Sequence, residues 1–113
     1  MLHVFLDSLI RYSTGGAMLN KTTILTFLAQ HKEFLHKEFG VKNIGLFGSY
    51  ARGEETAASD VDLVVELEIR SFSKRMALKY YLEEQFSVRV DVISVFGIRP
   101  YMWEFIKQDV LYV

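Results

Sequence analysis

The spacing of apolar residues along this chain changes period several times, and each change marks an element. Ile24, Phe27, Leu28, His31, Leu35 and Phe39 recur every three or four residues, which predicts one helix over about 21–39. Asn20 is placed to cap its start and Gly40 to stop it. Within it, His31-Lys-Glu-Phe34 returns as His36-Lys-Glu-Phe39. Five residues are about 500° of helical rotation, so the two histidines diverge by about 140° and cannot share a metal ion. The repeat reads as a solvated charged stripe around buried phenylalanines. An apolar run over 43–47 then predicts a strand, followed by a short helix from Ser49 to near Gly53 and a polar loop over 54–59. A second strand covers about 60–67. Ser71 caps a helix of about 72–86, with Phe72, Met76, Tyr80 and Phe86 facing inward. Residues 88–95 alternate: Val88, Val90 and Val92 share one face, and Arg89, Asp91 and Ile93 the other. Beyond Gly97, Pro100 opens a helix of about 100–108, and Leu111 to Val113 add a last strand. The order is α-β-α-β-α-β-α-β, an α/β (α+β) domain with the sheet as its central layer.

Composition narrows what such a domain does. The chain has 113 residues, half of them apolar, enough for one domain with a real core. A net charge of −1 argues against direct binding of nucleic acid through broad charge neutralisation. With no cysteine, disulfides, thiolate metal sites and cysteine nucleophiles are excluded, which fits a reducing cytoplasm. No apolar run approaches the length of a membrane span. Residues 1–17 carry Asp7 and His3, lack a basic leader, and end in the flexible Ser13-Thr-Gly-Gly16. They read as an appendage to a domain of residues 18–113, either an upstream-extended start before Met18 or a short extra helix packed on the domain.

The chemistry concentrates in Gly45-Leu-Phe-Gly-Ser-Tyr-Ala-Arg-Gly-Glu54 and Ser59-Asp-Val-Asp-Leu-Val-Val65. Gly48 leaves room for a phosphate to approach the backbone, and free N–H groups following it can hold one. Asp60 and Asp62 stand at i and i+2 of a strand, so they share a face with Cα atoms roughly 6.5–7 Å apart. Two such carboxylates can hold two divalent ions about 3.5–4 Å apart for in-line phosphoryl chemistry. Asp91 lies in an otherwise apolar strand, where an unpaired carboxylate is costly. If the second and third strands are neighbours, Asp91 approaches Asp60 and Asp62, and the three acids share two Mg²⁺ ions. Arg52 matches phosphate oxygens but equally matches Glu54 or Glu55.

Gly48-Ser49, the eleven-residue step from Ser49 to Asp60-Val-Asp62 and the later strand acid Asp91 together resemble the DNA polymerase β superfamily. The wording Gly48-Ser-Tyr-Ala-Arg-Gly-Glu54 with Ser59-Asp-Val-Asp62 is most similar to its minimal nucleotidyltransferases (MNT), over residues 20–113. These are commonly paired with HEPN-domain proteins in toxin–antitoxin systems. The resemblance implies a mixed four-stranded sheet packed with helices. It implies that Gly48 and Ser49 bind the triphosphate of ATP, that Asp60 and Asp62 ligate metal, and that Asp91 completes the metal site and helps deprotonate the acceptor hydroxyl. It also implies transfer of AMP from ATP to a tyrosine of a HEPN partner, as an antitoxin. Larger relatives hold the acceptor with an added domain, and residues 18–113 are consumed by the nucleotide site, so a partner protein is expected to supply that wall.

Plainer readings stand beside these. Asp60 and Asp62 read alternatively as surface acids, Asp91 as the ion-pair partner of Arg89, and Ser49 as a helix cap. Tyr50 reads as packing; Tyr80, Tyr81, Tyr101 and Trp103 as core or partner surface; Glu83 and Glu84 as solvated helix; His3, His31 and His36 as structural or exposed. The rival functions are a non-catalytic module that masks its partner by binding, and nucleotidyl transfer to a small-molecule hydroxyl. Assembly as a homo- or hetero-oligomer is compatible with each.

Overall fold

The computed structural model describes residues 19–113. The appendage reading of residues 1–17 therefore lies outside the described residues. Two helices come first, α1 (Lys21–Gln30) and α2 (Lys32–Phe39), where the apolar spacing predicts one. The break is at His31. Its ring stacks on Phe27, centroids 3.9 Å apart, and its Nδ1 lies 2.8 Å from the Phe27 carbonyl oxygen, which the His31 N–H also reaches at 3.0 Å. The ring and the backbone N–H of His31 thus share one helix carbonyl where the two helices meet. The start is capped as expected: Asn20 Oδ1 accepts from the Thr23 N–H and Thr23 Oγ1 accepts from the Asn20 N–H, each at 2.9 Å. Gly40 ends α2 in the left-handed conformation, φ 71°.

The next elements are β1 (Val41–Phe47), α3 (Ser49–Arg52), β2 (Val61–Leu67), α4 (Phe72–Phe86), β3 (Val90–Ser94), a 3₁₀ turn (Val95–Gly97), α5 (Pro100–Asp109) and β4 (Leu111–Tyr112). The strands form one mixed sheet in the order β3-β2-β1-β4. β1 runs antiparallel to β2 and β4, while β2 and β3 are parallel. A parallel pair needs a crossover, and α4 supplies it. The expected element order and mixed four-stranded sheet are both present.

The core lies between this sheet and α1, α2 and α4. Ile24, Phe27, Leu28 and Leu35 meet Leu46, Leu63, Val65, Leu78, Leu82 and Phe86, all essentially without solvent exposure. Phe27 and Phe86 touch edge to face, centroids 5.2 Å apart. Two expectations fail. Phe34 is exposed and packs on Phe39 and Tyr81 at the rim rather than in the core. In α4 the buried stripe is Leu78, Leu82 and Phe86; Phe72 and Tyr80 are 70% and 60% exposed. The two stripes are centred about 120° apart around the helix, and both read as apolar, so sequence spacing alone offered two faces.

The polar face of α4 has its own task. β3 is an edge strand, and the outer backbone groups of its first residues need partners. Arg75 Nη1 donates to the Val92 carbonyl at 2.9 Å, Lys79 Nζ to the Val90 carbonyl at 2.7 Å, and the Val90 N–H to Glu83 Oε2 at 3.0 Å. Lys79 also pairs with Glu83 at 2.8 Å. Three side chains at i, i+4 and i+8 thus stitch the crossover helix to the edge strand, and Glu83 is not simply solvated surface. Its carboxyl is held below the usual glutamate value by the Lys79 hydrogen bond and then by the Val90 N–H. Replacing Glu83 with Ala leaves Val90 N–H and Lys79 short of a partner. We expect Glu83→Ala to cost about 1–3 kcal/mol, read from the urea midpoint; an unchanged midpoint would show the stitch to be ornamental.

Candidate active site

The sheet register places the predicted acids. Across three adjacent strands Phe47 is opposite Asp62, and Asp62 is opposite Asp91. Asp60 precedes β2 by one residue, and Gly48 follows β1 by one. The turn, the two motif acids and the strand acid therefore converge on one end of the sheet from three strands, as the adjacency of β2 and β3 requires. Val90 and Val92 are buried on the opposite face, so Asp91 projects outward and is exposed. None of Asp60, Asp62 and Asp91 accepts a side-chain hydrogen bond or joins an ion pair among the described residues; in particular Arg89 does not pair with Asp91.

Gly48 must be glycine here for two reasons. Its φ of 80° and ψ of −157° lie in a region essentially restricted to glycine. A Cβ at this position would also overlap Oδ2 of Asp62. The backbone turn is packed directly against the carboxylate. After it, the N–H groups of Ser49 and Tyr50 have no acceptor among the described residues, because α3 is beginning there. Tyr50 itself is buried, and burial, then the charges of Glu55 and Asp60, raise its phenol above the usual value, in keeping with a packing role.

Arg52 is already engaged. Its Nε donates to Glu54 Oε1 at 2.9 Å and its Nη1 to Asp109 Oδ2 at 2.8 Å. The same Asp109 oxygen accepts from the Gly48 N–H at 3.2 Å. Of the two partners read from the sequence for Arg52, the carboxylate is the one in place. Asp109 was not singled out in the sequence. The available signal was its position: an acid in the last turn of a helix opposes the helix dipole, so it calls for a partner elsewhere.

Electrostatically the end of the sheet is strained. The Asp62 carboxyl is pushed up from 3.8 to about 6, first by burial, then by Asp91 and Asp60, with Arg52 pulling it back. A cleft of about 500 Å³ opens beside Asp62 and Asp91, walled by Phe47, Met76, Met102 and Phe105, with Arg75 and Lys79 along its α4 side. Among the described residues no trio of histidine, aspartate or glutamate side chains forms a ready-made metal cage. Three like charges do not gather unaided. The donor set nevertheless fits a hard divalent cation: carboxylate oxygens only, at adjacent strands, unpaired with any cation among the described residues.

Comparison with known proteins decides the class. The nucleotidyltransferase domain family matches residues 28–113. The chain belongs to that family. As a nucleotidyltransferase it is 40% identical over 98 residues to protein adenylyltransferase MntA of Thermococcus cleftensis, covering 86% of this chain and 99% of that protein. It is 41% identical over 100 residues to a Methanocaldococcus jannaschii protein provisionally assigned as a protein adenylyltransferase, covering 85% of this chain and all of that one. A solved structure provisionally assigned as a minimal nucleotidyltransferase superposes with a TM-score of 0.70 at 31% identity, covering 85% of this chain and 98% of the other. The complex of tri-AMPylated Shewanella oneidensis HEPN toxin with MNT antitoxin contains a chain matching at a TM-score of 0.57. Identity there is 17%, with 77% of this chain and 69% of that one covered, so the likeness is one of fold. No described helix of this nucleotidyltransferase is long and apolar enough to cross a membrane.

A raised carboxyl pKa carries a stability consequence. Folded Asp62 holds a proton up to about pH 6, and the unfolded chain only to about its ordinary 3.8. The folded state is therefore favoured as pH falls through this window, and bears the full cost of the charge above it. In chelator at pH 7.5 we expect Asp62→Asn to raise Tm by about 4 °C or more, with the gain shrinking by pH 5. A variant no more stable than wild type at pH 7.5 would contradict the strain described here.

Proposed function

We infer that this nucleotidyltransferase moves AMP from ATP onto a tyrosine hydroxyl of a HEPN-type partner protein, in the cytoplasm, with two Mg²⁺ ions held by Asp60, Asp62 and Asp91. The observation that carries the reading is the register pair Asp62–Asp91 directly beside the Gly48 turn. The choice of adenylyl group and protein acceptor leans on the relatives: one 40% identical is named a protein adenylyltransferase, and a fold neighbour was solved with an AMPylated HEPN toxin.

In this reading Gly48 and Ser49 receive the triphosphate, with the Ser49 and Tyr50 N–H groups as donors to its oxygens. Divalent ions bound by the acids would neutralise the phosphates and acidify the acceptor hydroxyl. Asp91, exposed and without a hydrogen bond among the described residues, faces the side from which an acceptor arrives. It takes the tyrosine proton as the phenolic oxygen bonds to the α-phosphorus; the bond to the β-phosphate oxygen breaks and pyrophosphate departs. Met102 and Phe105 of α5 form the apolar wall of this approach, and Phe105 and Tyr101, 72% and 63% exposed, extend it to the surface. Arg52 serves the turn through Glu54 and Asp109 and places a positive charge near Asp62.

The test uses a co-purified HEPN partner incubated with Mg²⁺ and each nucleoside triphosphate. With ATP the intact mass of the partner is expected to rise by whole AMP units, mapped to tyrosine. Asp91→Asn is expected to slow transfer about 10²–10⁴-fold while disturbing ATP affinity much less. The hypothesis is falsified if the Asp60→Asn, Asp62→Asn double variant neutralises the partner in cells as well as wild type does. That result would make binding, not transfer, the function.

A further inference from the structure

The acids of the site lack partners among the described residues, yet one carboxylate beside them has two. Asp109 is the last residue of α5, with its side chain 16% exposed. Its Oδ2 accepts from the Gly48 N–H at 3.2 Å and from Arg52 Nη1 at 2.8 Å. Gly48 precedes α3 and Arg52 ends it. A single oxygen from the far end of the chain thus ties both ends of the one-turn helix that follows β1. Glu54 holds the other side of the same guanidinium at 2.9 Å.

We propose that Asp109 is a positioning residue for nucleotide binding: it braces the Gly48–Arg52 turn so that the turn meets the triphosphate already in shape. This rests on the nucleotidyltransferase reading of the Gly48–Ser49 turn and adds a residue to it. The physical reason is glycine's freedom. A glycine at φ 80° has many other backbone states available, and binding that first has to select one of them is weakened accordingly. A carboxylate on its N–H, backed by a guanidinium, removes that choice before the ligand arrives. Asp109 accepts the N–H that precedes the helix and leaves those of Ser49 and Tyr50 open. It therefore steadies the cradle without filling it.

The contact to Gly48 can be read without any nucleotide. In amide-resolved NMR of the full chain, we expect Asp109→Ala to move the Gly48 resonance upfield, as a hydrogen bond to a carboxylate is lost, and Asp109→Glu to restore part of the shift. In calorimetry with Mg²⁺ and ATP, we expect Asp109→Ala to weaken binding about tenfold, the scale of one charge-assisted hydrogen bond, while the affinity for adenosine, which has no phosphate, is unchanged. A general loss of structure would lower both affinities. Arg52→Ala and Asp109→Ala combined should cost less than the sum of the two, because they remove one shared brace. Tighter ATP binding by Asp109→Ala would overturn the proposal, since the carboxylate would then be a competitor sitting where phosphate belongs. Unchanged ATP affinity, or an unmoved Gly48 resonance, would overturn it as well. Wild-type protein that binds no ATP while the Gly48 resonance still responds to Asp109→Ala would strike the nucleotide reading and leave the brace.

Discussion

Everything at the functional end of this molecule depends on two carboxylates being held opposite each other on adjacent parallel strands. Asp62 and Asp91 are in register, and among the described residues nothing cationic is bonded to either. Such a pair raises its own cost: burial and mutual repulsion lift Asp62 to about 6. The fold has to overpower that repulsion, and it does so with the surrounding strands. Directly behind the acids, Val61, Leu63, Val90 and Val92 are buried. Burial of four such side chains is worth several kcal/mol, and it cannot be realised in another register without turning the valines outward. The acids are carried opposite each other because the residues on either side of them have nowhere else to go.

The same constraint explains the crossover. Parallel pairing of β2 and β3 obliges the chain to return over the sheet, and α4 makes that return. An edge strand that carries a functional acid cannot be left free to fray. Arg75, Lys79 and Glu83 fix it through backbone contacts at Val90 and Val92, the two residues flanking Asp91. Two of these, Arg75 and Lys79, also line the cleft in front of the acids. Their positive charge is tied to carbonyl oxygens and to Glu83, which keeps it from collapsing onto Asp91 and neutralising the site.

How much of this was legible in the sequence follows from the range of each interaction. Strand positions, the short α3, the caps at Asn20 and Ser71 and the acids Asp60, Asp62 and Asp91 are set by local spacing and by residue chemistry, so they can be read along the chain. The inward face of α4 could not. Phe72 and Tyr80 are apolar by type and Leu78 and Leu82 by type and burial, and only the sheet decides between them. The break at His31 coincides with its ring on the carbonyl of Phe27, four residues back, and a helical pattern does not reveal it. Asp109 lies 61 residues from Gly48 and 57 from Arg52. A contact of that separation is invisible to any periodicity, and the misfit of an acid at a helix end was its one trace.

The site thus combines two opposite treatments of negative charge within a few residues. Asp109 and Glu54 are paired with Arg52, and Asp109 also with the Gly48 N–H, so they tie the turn together. Asp60, Asp62 and Asp91 have no such partner among the described residues, and burial and like charges leave Asp62 destabilised. A carboxylate that is satisfied within the fold gains nothing from a ligand, whereas one kept in deficit returns its strain as binding energy when a cation arrives. Gly48 is where the two treatments meet: its N–H is bonded to the satisfied acid, and its missing side chain makes room for Oδ2 of a strained one. Any larger residue there would force the Gly48 turn and the Asp62 carboxylate apart. The proposed reaction needs phosphate and metal on the same few atoms of substrate, and a residue 48 with no side chain lets the turn and the carboxylate lie that close.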